Sequence, residues 1–336
     1  MNNRVELVCP AGTPAALRAA VDNGADAVYL GFKDATNARN FPGLNFDHGG
    51  EVRDALGYAR DKGVKVLLAL NTFPQPGDWD TATAAVDEAA ELGVDAIILG
   101  DPGLLRYAAR THPELPLHLS VQASATNREA ITFYKEQFGV RRVVLPRVLS
   151  LAQIKQMVGS LPVDVEVFGF GSLCVMVEGR CALSSYVTGE SPNTRGVCSP
   201  AHSVRWEETD RGRQSRLNGV LIDRFREDEN AGYPTLCKGR YRVDDNVFHA
   251  IEEPTSLNTL DVLPELVKLG VGALKVEGRQ RSPAYVSQVT RVLRRALDAA
   301  MADPDGYEPE QVWVDALDRV SEGGSHTLGA LHRPWQ

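Results

Sequence analysis

Short apolar runs alternate with longer amphipathic segments over most of this chain. One phrase recurs, a glycine followed by a mostly apolar run, at 24–31, 63–70, 93–100, 139–146 and 270–278. Each glycine is expected to close a helix in the left-handed conformation, which glycine adopts without a Cβ penalty. Each apolar run has the composition of a strand that is covered on both faces. The pattern therefore predicts repeated βα units around a parallel sheet.

Three further apolar runs, at 5–10, 117–122 and 164–170, bring the expected strands to eight. None of these segments has the polar character of an exposed edge strand, and no G-x-G-x-x-G fingerprint follows the first strand. We therefore predict an α/β fold, a TIM-like (β/α)8 barrel, with a doubly wound open sheet as the alternative.

The helices between these strands carry recognisable signals. Thr13 and Pro14 are expected to start the first helix, Thr13 as the N-cap and Pro14 at the first helical position. The last long helix places Val286, Val289 and Leu293 at helical spacing. This stripe is expected to pack against the barrel.

A long segment without the βα rhythm separates the seventh expected strand from the eighth. We assign 1–170 and 269–303 to the barrel, 171–268 to an insertion, and 304–336 to a short C-terminal tail. Turn signals between short apolar runs predict a small antiparallel sheet within the insertion. Because loops that follow barrel strands emerge at the C-terminal face, the insertion is expected beside the active site.

The insertion contains four of the five cysteines, Cys174, Cys181, Cys198 and Cys237, in the pattern C-x6-C-x16-C-x38-C. Glycine, proline, serine and arginine surround them, whereas buried cysteines without a ligand usually lie in apolar strands. No C-x2-C pair typical of structural zinc sites occurs. Spacing alone leaves a [4Fe–4S] cluster, a zinc ion and unligated cysteines as alternatives. Cys9, at the end of the first strand, is expected to be a small buried hydrophobic residue.

Polar residues at strand ends are candidates for chemistry, because the strand ends form the active-site face of a barrel. The catalytic candidates are Asn71, Gln122 and Glu277 at strand ends, and Glu178, which like Arg180 lies between the first two cysteines of the insertion. The candidates for substrate binding are Arg39, Arg147, Arg180 and Arg279. Guanidinium groups bind carboxylates in a bidentate manner, so converging arginines favour a ligand that carries carboxylates.

Composition narrows the functional classes. The 336 residues carry a formal net charge of −8, which argues against nucleic acid as a partner, although a local basic patch is compatible with that total. No apolar stretch has the length of a membrane span, and the first residues, MNNRVELVCPAG, lack the apolar region of a secretory signal. We therefore expect a cytoplasmic protein, in which clustered cysteines are typical of metal sites or catalysis.

Several stretches together resemble the collagenase-like peptidase family, specifically its ubiquinone-biosynthesis branch. They are CPAG, NGADAVYLGFKDATNARNFPGLNF, SVQASATN, VLPRVLS, FGFGSLCVMVEGRCALSSYVTGESPNTRGVCSP, AGYPTLCKGRY, EEPTSLNTL and KVEGRQRSPAYVSQV. The similarity covers nearly the whole chain and is most specific around the four cysteines of the insertion.

The resemblance implies that Cys174, Cys181, Cys198 and Cys237 hold a [4Fe–4S] cluster. It also implies a heterodimer with a UbiV-like protein and oxygen-independent hydroxylation of the ring of a ubiquinone precursor. Related members hydroxylate ribosomal or transfer RNA, with prephenate as the oxygen donor. We expect the four candidate arginines for substrate binding to bind the two carboxylates of prephenate. Two alternatives remain, an RNA-modifying hydroxylase of the same family and, as the family label suggests, a peptidase. No Ser-His-Asp or H-E-x-x-H constellation supports the peptidase.

Overall fold

A computed structural model describes residues 4–176, 180–229 and 231–332. Eight parallel strands form the centre of the fold. They are β1 (Glu6–Pro10), β2 (Ala27–Leu30), β3 (Lys65–Leu70), β4 (Ala96–Leu99), β5 (Leu117–Leu119), β6 (Arg142–Val144), β7 (Asp164–Ser172) and, after the strands of the insertion, β14 (Ala273–Val276). Seven of the eight lie within segments predicted from the apolar pattern, and β7 extends two residues beyond its predicted segment.

The sheet closes on itself. Strand β14 pairs in parallel with β1, where Leu274 faces Leu7, and also with β7, where Leu274 faces Val167. The remaining strands pair in chain order from β1 to β7. The predicted TIM-like barrel is confirmed, because an open sheet has no pairing between its first and last strands.

Helices surround the barrel. Those of the described residues are α1 (Pro14–Asp22), α2 (Gly50–Asp61), α3 (Trp79–Leu92), α4 (Pro102–Thr111), α5 (Arg128–Phe138), α6 (Leu151–Val158), α7 (Ala182–Thr188), α8 (Pro192–Arg195), α9 (Leu263–Leu269), α10 (Pro283–Ala302) and α11 (Gln311–Asp318). One core cluster fills the space between the strands and the outer helices, and a second cluster, including Tyr29, Leu67 and Ile98, fills the barrel interior.

Local signals in the sequence explain where the helices start and stop. The Thr13 side chain accepts a hydrogen bond from Ala16 N at the start of α1, with Pro14 in the first turn. The glycines that open the five repeated phrases all have φ between 67° and 96°. Left-handed glycines end helices and turn the chain into the next strand, as predicted.

The insertion adds antiparallel structure beside the barrel. Strands β8 (Val204–Thr209), β9 (Gly212–Leu217) and β10 (Val220–Phe225) form a three-stranded sheet, and β11 (Tyr241–Val243) pairs with β12 (Asn246–Phe248). The predicted antiparallel structure is thereby confirmed. Strand β13 (Ser256–Asn258) pairs antiparallel with the end of β7 and in parallel with β15 (His326–Thr327).

Two elements tie the outer parts of the chain to the barrel. All but the last residue of helix α9 fall within the range predicted for the insertion, yet Leu263 and Leu266 belong to the main core. In the C-terminal tail Trp313 is buried in the same core, whereas Trp335 lies outside the described residues. No helix of the described residues has both the length and the apolar character of a bilayer span.

Candidate active site at the C-terminal mouth of the barrel

A cavity of about 170 Å³ lies at the carboxyl ends of the barrel strands. Side chains of the barrel and of the insertion line it together. Those from the barrel include Tyr29, Ala69, Asn71, Ile98, Gln122, Val144, Arg147, Phe168, Lys275, Glu277 and Arg279, and those from the insertion include Cys174, Cys181, Cys198, Tyr233, Cys237 and Lys238. The fold thus brings together residues that lie far apart in the sequence.

Most of the predicted site residues line this cavity. Among the candidates for catalysis and substrate binding they are Asn71, Gln122, Glu277, Arg39, Arg147 and Arg279. Arg180 is exposed and lies outside the lining, with its guanidinium carbon 5.4 Å from the centre of the Phe73 ring. Glu178 lies outside the described residues.

Glu277 is the buried acid of the cavity. Its Oε1 accepts a hydrogen bond of 2.7 Å from Arg39 Nη2, and its Oε2 lies 3.4 Å from Arg147 Nη1. Burial opposes ionisation of Glu277, but the two guanidinium groups prevail and hold its pKa below the ordinary value. The Arg147 guanidinium also lies over the Phe168 ring, 4.0 Å from its centre. Glu277 is therefore a carboxylate between two cations.

Arg279 has a different environment. It is 3% exposed, and its Nη2 hydrogen-bonds the Oδ1 atoms of Asn37 and Asn45. Burial lowers the pKa of Arg279 to about 10, because desolvation penalises the charged form. Within the described residues no carboxylate hydrogen-bonds to this guanidinium.

The two candidates with amide side chains, Asn71 and Gln122, differ in their hydrogen bonds. Asn71 Oδ1 accepts from Ala38 N at 2.9 Å and its Nδ2 donates to Ser120 Oγ at 3.1 Å, so both ends of this amide connect loops. Gln122 is 7% exposed, and its Oε1 has no hydrogen-bond partner among the described residues. Strand β5 ends before Gln122, which lies in a single 3₁₀ turn that Ser120 caps. Of the two amide candidates, Gln122 is thus the one with an unused acceptor at the cavity.

The four cysteines of the insertion are part of the cavity lining, and we call this part the cysteine wall. Cys181 caps helix α7, where its Sγ accepts from Ser184 N at 3.3 Å. Burial raises the pKa of the Cys198 thiol to about 11, although Arg39 opposes this shift. Burial also raises the pKa of Cys237, whose Sγ lies 3.6 Å from Thr235 Oγ1.

The four thiols of this wall have the number and chemical type of the ligands that a [4Fe–4S] centre takes. A [4Fe–4S] cluster takes one cysteine at each iron, so its four sulfur ligands surround a multi-atom core rather than one ion. Within residues 4–176, 180–229 and 231–332, no three His, Cys, Asp or Glu side chains are arranged to hold a metal ion. The thiols fit the predicted centre in kind and location, and the centre itself stays a prediction.

Cys9 is separate from this wall. It is fully buried in the main core, where its Sγ lies 3.3 Å from Thr290 Oγ1. Burial raises the pKa of this thiol to about 12. Cys9 is therefore a small core residue, as predicted.

Several cavity residues were missed by the sequence reasoning. Lys275 Nζ donates to Glu166 Oε1 at 2.6 Å inside the barrel, and Lys238 forms an ion pair with Glu322. Lys275 could have been recognised in the sequence only as a charged residue within an otherwise apolar strand, β14. No local pattern distinguishes Lys238 or Glu322 from surface charges.

Comparison with known proteins identifies the family. The profile of peptidase family U32 matches residues 12–334. The chain belongs to peptidase family U32. This confirms the collagenase-like family predicted from the cysteine-containing stretches. The ubiquinone-biosynthesis branch stays a prediction.

Three relatives show the range of activities that members are named for. The Bacillus subtilis tRNA hydroxylation protein P1 is 29% identical over 97% of this chain and 71% of its own length. The Escherichia coli tRNA hydroxylation protein P is 32% identical over 98% of this chain and 74% of its own length. A Porphyromonas gingivalis collagenase is 30% identical over 96% and 72%. The names of the first two weigh weakly against the expectation, drawn from the net charge, that nucleic acid is not a partner.

Proposed function

We propose that this chain is the iron–sulfur subunit of an oxygen-independent hydroxylase that acts on the ring of a ubiquinone precursor, together with a UbiV-like partner. One observation carries the proposal: four cysteines of the insertion and the polar strand ends of the barrel line one small cavity. Relatives that are named for hydroxylation support the reaction class. The choice of a quinone precursor rests on the resemblance of the cysteine-containing stretches to the ubiquinone-biosynthesis branch.

The size and lining of the cavity suit a single ring. Its volume is about 170 Å³, and an apolar cavity of about 150 Å³ binds benzene in another protein. Ile98, Val144 and Phe168 supply apolar surface, and Tyr29 adds a second aromatic ring. A substituted six-membered ring is therefore accommodated at the strand ends, beside the cysteines.

The charged groups of the cavity suit a carboxylate-bearing oxygen donor, for which we propose prephenate. Arg39 is partly exposed to the cavity, at 31% of its side-chain surface, and Lys238 also lines it. A guanidinium or ammonium group that already neutralises an internal carboxylate can share its remaining donors with a bound one. Gln122 Oε1 offers an acceptor for a hydroxyl group of either ligand.

In this proposal Cys174, Cys181, Cys198 and Cys237 hold a [4Fe–4S] cluster. When bound, it would supply one-electron redox chemistry at the cavity wall. The buried thiols must lose their protons to become ligands, so loading of iron is expected to release protons. The barrel residues orient the ring and exclude bulk water from it.

The test is anaerobic purification followed by iron and sulfide analysis. We expect about four irons per chain with broad visible absorbance, and loss of both in Cys174→Ala, Cys181→Ala, Cys198→Ala and Cys237→Ala. Cys9→Ala is the matched control, because the same residue type is buried outside the cavity. A colourless protein that holds one zinc ion would overturn the proposal. Anaerobic quinone content in a deletion strain tests the pathway.

A second candidate is an RNA-modifying hydroxylase, which the two tRNA hydroxylation relatives favour. In such an enzyme the same cavity would bind a base of the RNA in place of the quinone precursor. Mass spectrometry of RNA nucleosides from a deletion strain separates the two candidates. Loss of a hydroxylated nucleoside with normal anaerobic quinone would favour the RNA enzyme.

The relative named collagenase makes peptidase activity a third candidate. Within the described residues no histidine lines the cavity, so it offers no Ser-His or Cys-His pair for nucleophilic attack. Digestion of collagen or casein that survives loss of the four cysteines would favour the peptidase.

A further inference from the structure

Two asparagines in the loop after β2 connect Arg279 to Arg39. Arg279 Nη2 donates to Asn37 Oδ1 at 2.7 Å and also hydrogen-bonds Asn45 Oδ1. The same two amides bind the backbone of Arg39: its N–H donates to Asn37 Oδ1 at 3.2 Å, and its carbonyl accepts from Asn45 Nδ2 at 2.9 Å. Arg279 is thereby joined to both sides of the Arg39 peptide through neutral side chains.

The surroundings leave this network little freedom. Asn37 and Asn45 are 0% and 2% exposed. A Cβ at Gly31 would lie 2.6 Å from Arg279 Nη2 and 2.7 Å from Asn37 Cγ, so glycine makes the room that both side chains occupy. Asn45 has a φ of 74°, a left-handed conformation that asparagine adopts more readily than most residues. The network is therefore a packed part of the barrel mouth.

The Arg39 side chain extends from the backbone that the network binds towards Glu277. Arg39 Nη2 donates to Glu277 Oε1 at 2.7 Å, and Glu277 lies two residues before Arg279 at the end of β14. The segment that contains Cys198 packs directly on the Arg39 loop, because a Cβ at Gly196 would lie 2.6 Å from the Asn37 carbonyl oxygen. Arg39 and Cys198 line the same cavity.

We infer that Arg279 is a positioning residue, which acts through Asn37 and Asn45 to hold the Arg39 guanidinium at the cavity wall that carries Cys198. This role differs from the direct ligand contact expected from the sequence. The inference rests on the proposed function in one respect, that a thiolate-bound iron centre occupies this wall. A fixed positive charge beside such a centre favours its reduced form, because nearby charge and hydrogen bonds set the potential.

The test uses Asn45→Gly, which removes the amide without changing charge and tolerates the left-handed backbone. Asn218→Gly is the matched control, because Asn218 also has a positive φ, of 46°, and its Nδ2 donates to a backbone carbonyl, that of Val187. In the iron-free full chain we expect Asn45→Gly to speed amide hydrogen exchange at Arg39 by about tenfold. Unchanged exchange would overturn the inference. Arg279→Lys is the second variant if Asn45→Gly does not fold. Amide exchange at Arg39 that is slower in Arg279→Lys than in the unsubstituted chain, or equal to it, would likewise overturn the inference.

The second measurement uses anaerobically loaded protein whose iron and sulfide content has been established. Asn45→Gly should lower the midpoint potential in the same direction as Arg39→Gln, and the double variant should shift it no further than Arg39→Gln alone. Additive shifts, or a potential that Asn45→Gly leaves unchanged, would overturn the inference. If the unsubstituted chain holds no iron but the exchange result stands, the proposed function fails and the positioning role is retained.

Discussion

Breaking the Lys275–Glu166 ion pair inside the barrel is expected to destabilise the fold strongly. Glu166 is 0% exposed, and its Oε1 accepts from Lys275 Nζ at 2.6 Å. Its Oε2 lies 3.6 Å from Arg142 Nη1. Lys275→Met keeps an unbranched apolar side chain but removes the ammonium group. The variant leaves a buried carboxylate with only its longer contact to Arg142.

The expected cost follows from the burial of this pair. Removing one partner of a buried ion pair costs about 3–5 kcal/mol, because the remaining charge is desolvated without compensation. The ammonium group also lies 4.0 Å from the centre of the Tyr29 ring, a contact of about 0.5–2 kcal/mol. Arg142 offsets part of the loss. We expect Lys275→Met to lower the free energy of unfolding by about 4 kcal/mol.

The assay is unfolding in urea, monitored by circular dichroism. The second protein measured is the double variant Glu166→Gln/Lys275→Met. Removing both charges should restore much of the stability, because no uncompensated carboxylate remains. In Lys275→Met the lone Glu166 is expected to take up a proton more readily, so its folded-state pKa lies above the unfolded value. Stability should then be higher at acidic pH and lost as the pH rises through that raised pKa. A loss under about 1 kcal/mol, or a double variant no more stable than Lys275→Met, would refute the reasoning.

Two histidines should make stability depend on pH in opposite directions. Burial lowers the pKa of His118 to about 4, so its unfolded form, with a pKa of about 6.5, takes up a proton that the folded form does not. The free energy of unfolding should fall by roughly 3 kcal/mol as the pH drops from about 6.5 to 4, and His118→Met should lose that slope in urea titrations. Burial opposes charge on His48, but its contacts of 2.5 Å with Glu88 Oε2 and 3.0 Å with Asp34 Oδ2 prevail and raise its pKa. The stability from His48 is present below a pH of about 6.5 and lost above the raised pKa. His48→Gln should therefore lower the melting temperature more at acidic than at alkaline pH, and an equal loss at both would contradict this assignment.

The barrel was predictable because its determinants are local. Apolar runs with a glycine in front of them specify strand, helix end and the turn between them within about ten residues. The cysteine wall was predictable in part, because all four residues lie in one segment whose composition is atypical of a core. Their placement around the same cavity as Glu277 and Arg147 follows from the rule that loops after barrel strands meet at one face.

The contacts inside the site were not predictable in the same way. Lys275 and Glu166 are 109 residues apart, and Lys238 and Glu322 are 84 residues apart. In the sequence each of these residues is one charge among many. The expected ligand contact of Arg180 illustrates the same limit, because its position between two cysteines says nothing of the direction in which its side chain points.

The sequence by itself determined the βα repeat, the positions of the helix ends, the family and the segment that supplies the thiols. Only the tertiary structure decided which charges neutralise one another, and that Arg279 contacts the two asparagines that hold Arg39. The physical reason is that periodicity and capping depend on neighbours along the chain. The state of a buried charge depends instead on groups that closure of the barrel brings near it.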